Sequence, residues 1–177
     1  HNAKNAETFG VELDVKKNLD FIGLRGLSFV CNAAYIYSRV RFEEGAPERD
    51  RPLAGQSPYL VNAGFFYQYD DKGISASLLY NRIGKRIESV GVPMQNQDED
   101  IPDIYEMPRN SLDLTFSKKI GKIVEIKAGI QDILNSKVEY KQFVKLTDDK
   151  GGKSEREQLI RSYRPGVDIN IGVSLRF

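Results

Sequence analysis

From Val167 to Phe177 the apolar residues fall on every second position: Val167, Ile169, Ile171, Val173, Leu175 and Phe177. Between them stand Asp168, Asn170, Gly172, Ser174 and Arg176. A strand sends successive side chains to opposite faces, so this stretch suits a β-strand with one apolar and one polar face. About ten alternating residues is also the length that a tilted strand needs to cross the hydrocarbon layer of a membrane. A half-buried strand of an ordinary domain alternates too. The length of the run, and its recurrence upstream, favour the membrane reading.

Six further segments alternate, and no segment of helical period competes. The first, about Glu7–Lys17, sets Phe9, Val11, Leu13 and Val15 against Glu12, Asp14 and Lys16. The second spans about Arg25–Phe42, the third Ser57–Tyr69, the fourth Ile74–Glu88, the fifth Arg109–Ser117 and the sixth Ile123–Tyr140. The connections alternate in length. Asn18–Leu24, Asp70–Gly73 and Lys118–Lys122 are short, and Asp-Asp-Lys-Gly is a good hairpin turn. Glu43–Gln56, Ser89–Pro108 and Lys141–Arg161 are long and polar, the first two broken by prolines and the last by Gly151-Gly152. Short turns at one end and long loops at the other is the pattern of an outer-membrane β-barrel. Counting back from Phe177 puts the carboxyl end and the short turns on the periplasmic side.

The aromatic residues fit the same frame. Tyr67, Tyr69, Phe116 and Phe177 fall towards the short turns, and Tyr35, Tyr37, Tyr59, Tyr140 and Tyr163 towards the long loops. Two girdles are expected at the two interfaces of a barrel wall. Seven strands is an odd number, however, and single-chain bacterial barrels have even counts. An isolated seven-stranded sheet would also leave two unpaired edges, which lipid does not tolerate. The expectation is a piece of a larger wall. The start at His1-Asn2-Ala3, with no signal peptide, agrees with further sequence upstream.

Composition narrows the function classes. Mean hydropathy is −0.46, which says little about barrels, because lumen residues dilute the lipid-facing ones. The 26 basic and 25 acidic residues nearly cancel, giving no electrostatic reason to expect nucleic acid as a partner. Cys31 is the only cysteine and falls on the apolar parity of its strand, as a small hydrophobe would. His1 is the only histidine and lies at the terminus. No nucleophile–base pair, phosphate loop or metal-ligand spacing is present, so neither catalysis nor a cofactor is expected.

Several stretches together resemble TonB-dependent outer-membrane receptors of the Bacteroidetes type. They are Arg51–Gly64, Tyr80–Ile87 with Val90-Gly91, Asp103–Arg109 followed by Leu112-Asp113, Gly129–Asn135, and Tyr163–Gly166 before the terminal strand. The ordered set covers nearly the whole chain. The resemblance implies that residues 1–177 are the carboxyl-terminal portion of an all-β, antiparallel transmembrane barrel. They would supply about seven strands of a wall of about twenty-two. The plug domain would lie upstream, outside this chain. It further implies active uptake of a scarce nutrient (siderophore, cobalamin, glycan or peptide) in the outer membrane. The implied partners are outer-membrane lipid, the plug and remaining strands, TonB, the barrel assembly machinery and, optionally, a surface lipoprotein.

The resemblance also implies an assembly signal in Tyr163, Val173, Leu175 and Phe177, since an unpaired terminal strand offers backbone groups and alternate side chains. A second candidate is the acidic loop with Asp98, Glu99, Asp100 and Asp103, which could offer oxygen ligands to a cation, although a solvated loop accounts for it as well. Arg82, Lys85, Arg86 and Glu88 cluster at the outer end of the fourth strand, where they could meet an anionic ligand or a plug carboxylate. Asp113, Glu125, Lys127, Asp168 and Arg176 are expected to pair across strands on the polar face. Asp132 and Asn135 mark a bulge. Two alternatives stand beside the receptor reading. One is a small eight-stranded structural or adhesin-type barrel, and the other is a soluble β-sandwich.

Overall fold

A computed structural model describes residues 3–94, 100–147 and 152–176. Strand accounts for 65% of the chain and helix for 4%, so the protein is all-β. The strands are β1 (Asn5–Asn18), β2 (Leu27–Arg41), β3 (Tyr59–Tyr69), β4 (Ile74–Ile83), β5 (Arg86–Ser89), β6 (Ile104–Glu106), β7 (Arg109–Ile120), β8 (Val124–Gln131), β9 (Val138–Thr147), β10 (Lys153–Tyr163) and β11 (Asp168–Leu175).

Seven of them form one antiparallel sheet in the order β1-β2-β3-β4-β7-β8-β11. These are the seven alternating segments of the sequence. The sheet is open: β1 and β11 are its edges and do not pair with each other. Residues directly opposite each other point to the same face, so the registers reveal what each face carries. One row runs Lys17, Phe29, Phe65, Leu78, Leu114, Ile130, Ile169 across all seven strands. The next runs Leu27, Tyr67, Ala76, Phe116, Ala128, Ile171. The other face carries Asp14, Asn32, Asn62, Asn81 and Ser111 in one row. Every strand therefore contributes its apolar parity to one common face.

That apolar face is left open. Val11 is 75% exposed and Ile171 77%, and Phe9, Leu13, Phe65, Leu114, Phe116 and Val173 are exposed with them. A sandwich would pack such faces on one another. Among the described apolar residues only Val40, Ile87, Val138 and Tyr140 are buried, all at the end of the sheet with the long connections. The polar face is instead cross-linked by side chains. Asn32 Nδ2 donates to Glu12 Oε1 at 2.7 Å and Asp14 Oδ1 at 3.1 Å, and Ser77 Oγ lies 2.7 Å from Thr115 Oγ1. As expected, Glu125 pairs across strands with Arg176 at 3.5 Å, but its other partner, Lys127 at 3.5 Å, lies on its own strand.

The remaining strands form a second sheet in the order β10-β9-β6-β5. In the chain, β5 follows β4, β6 precedes β7, β9 follows β8 and β10 precedes β11. The order β4-β7-β8-β11 of the first sheet is thus repeated as β5-β6-β9-β10. The second sheet continues the same four strands past a shared interruption. Pro108 and Pro165, which have no N–H to give a ladder, stand in two of the gaps. In a third, Asp132 and Asn135 take left-handed φ of 51° and 42°, a conformation that Asp and Asn tolerate. Two contacts hold the interruption together: Met107 N donates to Glu139 O at 2.9 Å, and Arg109 pairs with Asp132 at 2.9 Å.

Three expectations need correction. Lys141–Arg161 is a hairpin arm of β9 and β10 over its described residues, because each strand's backbone finds its ladder in the other. The fourth and sixth segments each divide, into β4 with β5 and β8 with β9. Asp132–Asn135 is a turn that ends β8, with Asn135 N donating to Asp132 O at 2.8 Å, and not a bulge.

The short turns all lie at one end, where Arg176 N reaches Ile123 O at 2.9 Å. Gly26 secures one of them. Its φ is +75°, and a Cβ there would meet Gln68 O at 2.2 Å. Gly26→Ala should therefore cost about 1–3 kcal/mol through strain and displacement of the β2–β3 ladder. Gly172→Ala, in open space at ordinary φ, should stay within about 0.5 kcal/mol. Urea unfolding of the two variants against the parent measures both.

Candidate functional site

Beyond the interruption, the three long connections enclose a cleft of about 760 Å³, within the range of small-molecule sites. One wall is the 48–52 segment that follows β2. Another is Lys85 with Val90, Gly91, Pro93, residues 100–103 and Tyr105. The third is Phe143–Lys145 of β9 with Ser154 and Glu155 of β10. Ile87 is buried on the face of the second sheet that carries Tyr105, and Val138 and Tyr140 are buried on the opposite face.

The acidic loop enters this cleft, but its described carboxylates serve the loop itself. Asp103 Oδ1 accepts a hydrogen bond from Gly91 N at 2.8 Å, and Asp100 Oδ1 accepts one from Met94 N at 2.8 Å. Asp100 also forms an ion pair with Arg49. Between them, Val92 and Ile101 exchange two backbone hydrogen bonds at 3.0 Å. The strands of this small loop approach so closely that a Cβ on Gly91 would lie 1.9 Å from Ile101 O. Asp98 and Glu99 lie outside the described residues. Among the described residues, no three of His, Cys, Asp and Glu gather as metal ligands would.

The basic cluster of the fourth segment disperses. Arg82 donates to Asn110 Oδ1 at 2.7 Å, and Arg86 holds Glu106 Oε2 through two hydrogen bonds of 2.9 and 2.7 Å. Glu88 faces Arg161 at 4.0 Å, and Arg161 in turn lies 4.0 Å above the Tyr140 ring. Lys85 alone turns into the cleft. Its ammonium sits 4.3 Å from the Tyr105 ring centroid and 4.5 Å from that of Phe143, whose rings meet edge to face at 5.7 Å. Arg51, on the opposite wall, lies 5.7 Å over Phe42. Cation–π contact of this kind orients a charge without neutralising it.

The four residues of the terminal signal do not form one unit. Val173 and Leu175 stand on the exposed apolar face of β11, opposite Ile126 and Val124. Tyr163 ends β10 in the second sheet, its ring 5.9 Å from the Arg161 guanidinium. Phe177 lies outside the described residues. On the polar face Asp113 Oδ1 accepts a hydrogen bond from Asp132 N at 2.8 Å, and Asp168 stands opposite Gln131.

No family model matches the chain, and no curated protein or solved structure matches it. The site therefore rests on its own geometry. Sequence reasoning marked Asp100, Asp103 and Lys85 separately, but it missed Tyr105, Phe143, Arg51 and Glu155 as their neighbours. The registers β5–β6, β6–β9 and β9–β10 bring Tyr105, Phe143 and Glu155 together, and a bridge from Val40 places Arg51.

Burial holds the Tyr105 phenol above its ordinary range, and the carboxylates of Asp103 and Glu155 push it the same way. A raised folded-state value means the fold favours the neutral phenol. The associated stability is whole below the ordinary value of about 10 and is lost as pH rises through the raised one. Absorbance titration at the tyrosinate band should show Asp103→Asn ionising Tyr105 at lower pH than the parent. The variant should remain above an exposed tyrosine, because burial is the larger cause. Tyr105→Phe should shrink the late phase and leave the part that belongs to Tyr140, whose phenol burial also holds above its ordinary range.

Proposed function

We propose that this chain is wall: the carboxyl-terminal part of an outer-membrane β-barrel of the TonB-dependent receptor type, serving energised uptake of a scarce nutrient. The observation that carries this is the single apolar face, continuous in register across seven strands, on which no described residue is buried. Six strand spacings give a width of about 30 Å, and four alternate residues give a height of about 20 Å. The plan area is on the order of 600 Å², at or beyond the largest apolar patch of a typical soluble monomer. Hydrocarbon is the solvent that such a face suits, and a wall has one polar face for its interior.

Other features support the same reading. Ten residues separate Tyr59 from Tyr69 on the apolar parity of β3. That is about 33 Å of strand, which projects to about 25 Å at a tilt of about 40°, the height of the apolar band of such barrels. The short turns suit a periplasmic rim, and the long excursions with their cleft suit an outer, ligand-meeting rim. Two open edges suit a slice of a larger barrel better than a small closed one, in which the ends of the sheet would approach each other. In this reading the polar rows face a plug, TonB acts through sequence outside the chain, and β11 is the strand offered to the assembly machinery. Catalysis has no part in it.

Single-cysteine nitroxide scanning tests the wall. The whole protein, reconstituted in lipid with Cys31→Ala as background, is labelled in turn at residues 11–15 and 169–173. Oxygen collision rates should peak at Val11, Leu13, Val15, Ile169, Ile171 and Val173, with polar-relaxant rates peaking at the positions between. A uniform, water-like response at every position would refute the wall. Retention of that period without energy-dependent ligand uptake by the intact cell would remove the receptor and leave a structural barrel.

A further inference from the structure

Three cations that line the cleft, Lys85, Arg51 and Lys145, have no carboxylate within 4.0 Å among the described residues. The first two are held by ring faces. Lys85 rests against Tyr105 and Phe143, and Arg51 against Phe42. The carboxylates around them are mostly engaged. Asp50 receives Arg39 at 3.0 Å and Phe42 N at 3.2 Å, Asp100 receives Arg49 and Met94 N, and Asp103 receives Gly91 N. Glu48 also has a partner. Glu155, directly across from Lys145 in the β9–β10 register, is the one that makes no hydrogen bond among the described residues.

We propose that this cleft binds an anion, a small soluble molecule bearing carboxylate or phosphate groups, received between Lys85 and Arg51. Uncompensated cations in a partly enclosed space attract an anion more strongly than the same charges in open water. Ring contacts fix both cations before the ligand arrives, so less side-chain freedom is lost on binding. The ring faces that could have seated a cationic ligand are already covered by Lys85. The inference concerns the cleft alone and holds whether or not the first sheet lies in a membrane.

Calorimetric titration of the whole protein in detergent micelles, with citrate and with inorganic phosphate as probes, provides the test. The parent should bind citrate, more weakly as salt is raised. Lys85→Gln and Arg51→Gln should each weaken binding at least about tenfold, as loss of a hydrogen bond to a charged group does. Lys85→Arg should stay within about threefold, and Glu155→Gln should bind as well as the parent or better. Should Lys85→Gln fail to fold, Arg51→Gln on the opposite wall carries the test. The proposal is overturned if the parent binds neither probe, or if Lys85→Gln and Arg51→Gln bind citrate like the parent. It is overturned equally if Lys85→Gln gains affinity for tetramethylammonium, which would make the rings a cation cage. Displacement of citrate by phosphatidylglycerol added to the micelles would assign the site to a lipid headgroup and overturn the soluble ligand.

Discussion

Everything in this fold follows from an apolar face that no other described part of the chain covers. Each of the seven strands of the first sheet gives its greasy parity to one side, and the registers keep those parities aligned from β1 to β11. A slip of one residue at any pair would turn a whole strand inside out. The hydrogen-bonded hydroxyl and amide rows on the other face work against such a slip, because they match only in this register. Burial does little here: few apolar side chains among the described residues are enclosed. Backbone ladders and cross-strand pairs carry the sheet, and the surroundings of the apolar face must supply the rest.

The first sheet was legible in the sequence because period-2 alternation is a local signal. Phe9 to Val15 or Ile169 to Leu175 declares its face without reference to any neighbour. The second sheet was not legible in this way. Strand β10 carries Glu155, Arg156, Glu157 and Gln158 in a row, a composition suited to solvent on both faces, and it becomes a strand only because β9 lies beside it. The turn at Asp132 was visible as a break in alternation, but its meaning depended on Arg109 and Asp113, some twenty residues away. The cleft was least legible of all. Lys85 stood among Arg82, Arg86 and Glu88 in the sequence, and its difference from them is purely spatial.

The interruption between the sheets separates two kinds of stabilisation. On one side, strands are held edge to edge with bare faces. On the other, the second sheet buries Ile87 on one of its faces and Val138 and Tyr140 on the other. Charges distribute accordingly. The first sheet spreads its ions along the polar face and at the strand ends, whereas the cleft brings ions of both signs close together and leaves three cations without acidic partners among the described residues. A surface meant to meet something charged belongs where the side chains can be positioned by a core, and this chain has that only beyond the interruption.

The two open edges differ in height. Strand β1 presents one run of fourteen residues. On the opposite flank β11 presents eight residues, and β10 carries that edge a further eleven. A strand laid against β1 can therefore be short, whereas one laid against β11 must climb well past it to satisfy β10. The outer rim of any assembly that includes this chain is a staircase with its high step on the carboxyl-terminal flank, and the cleft opens beside that step.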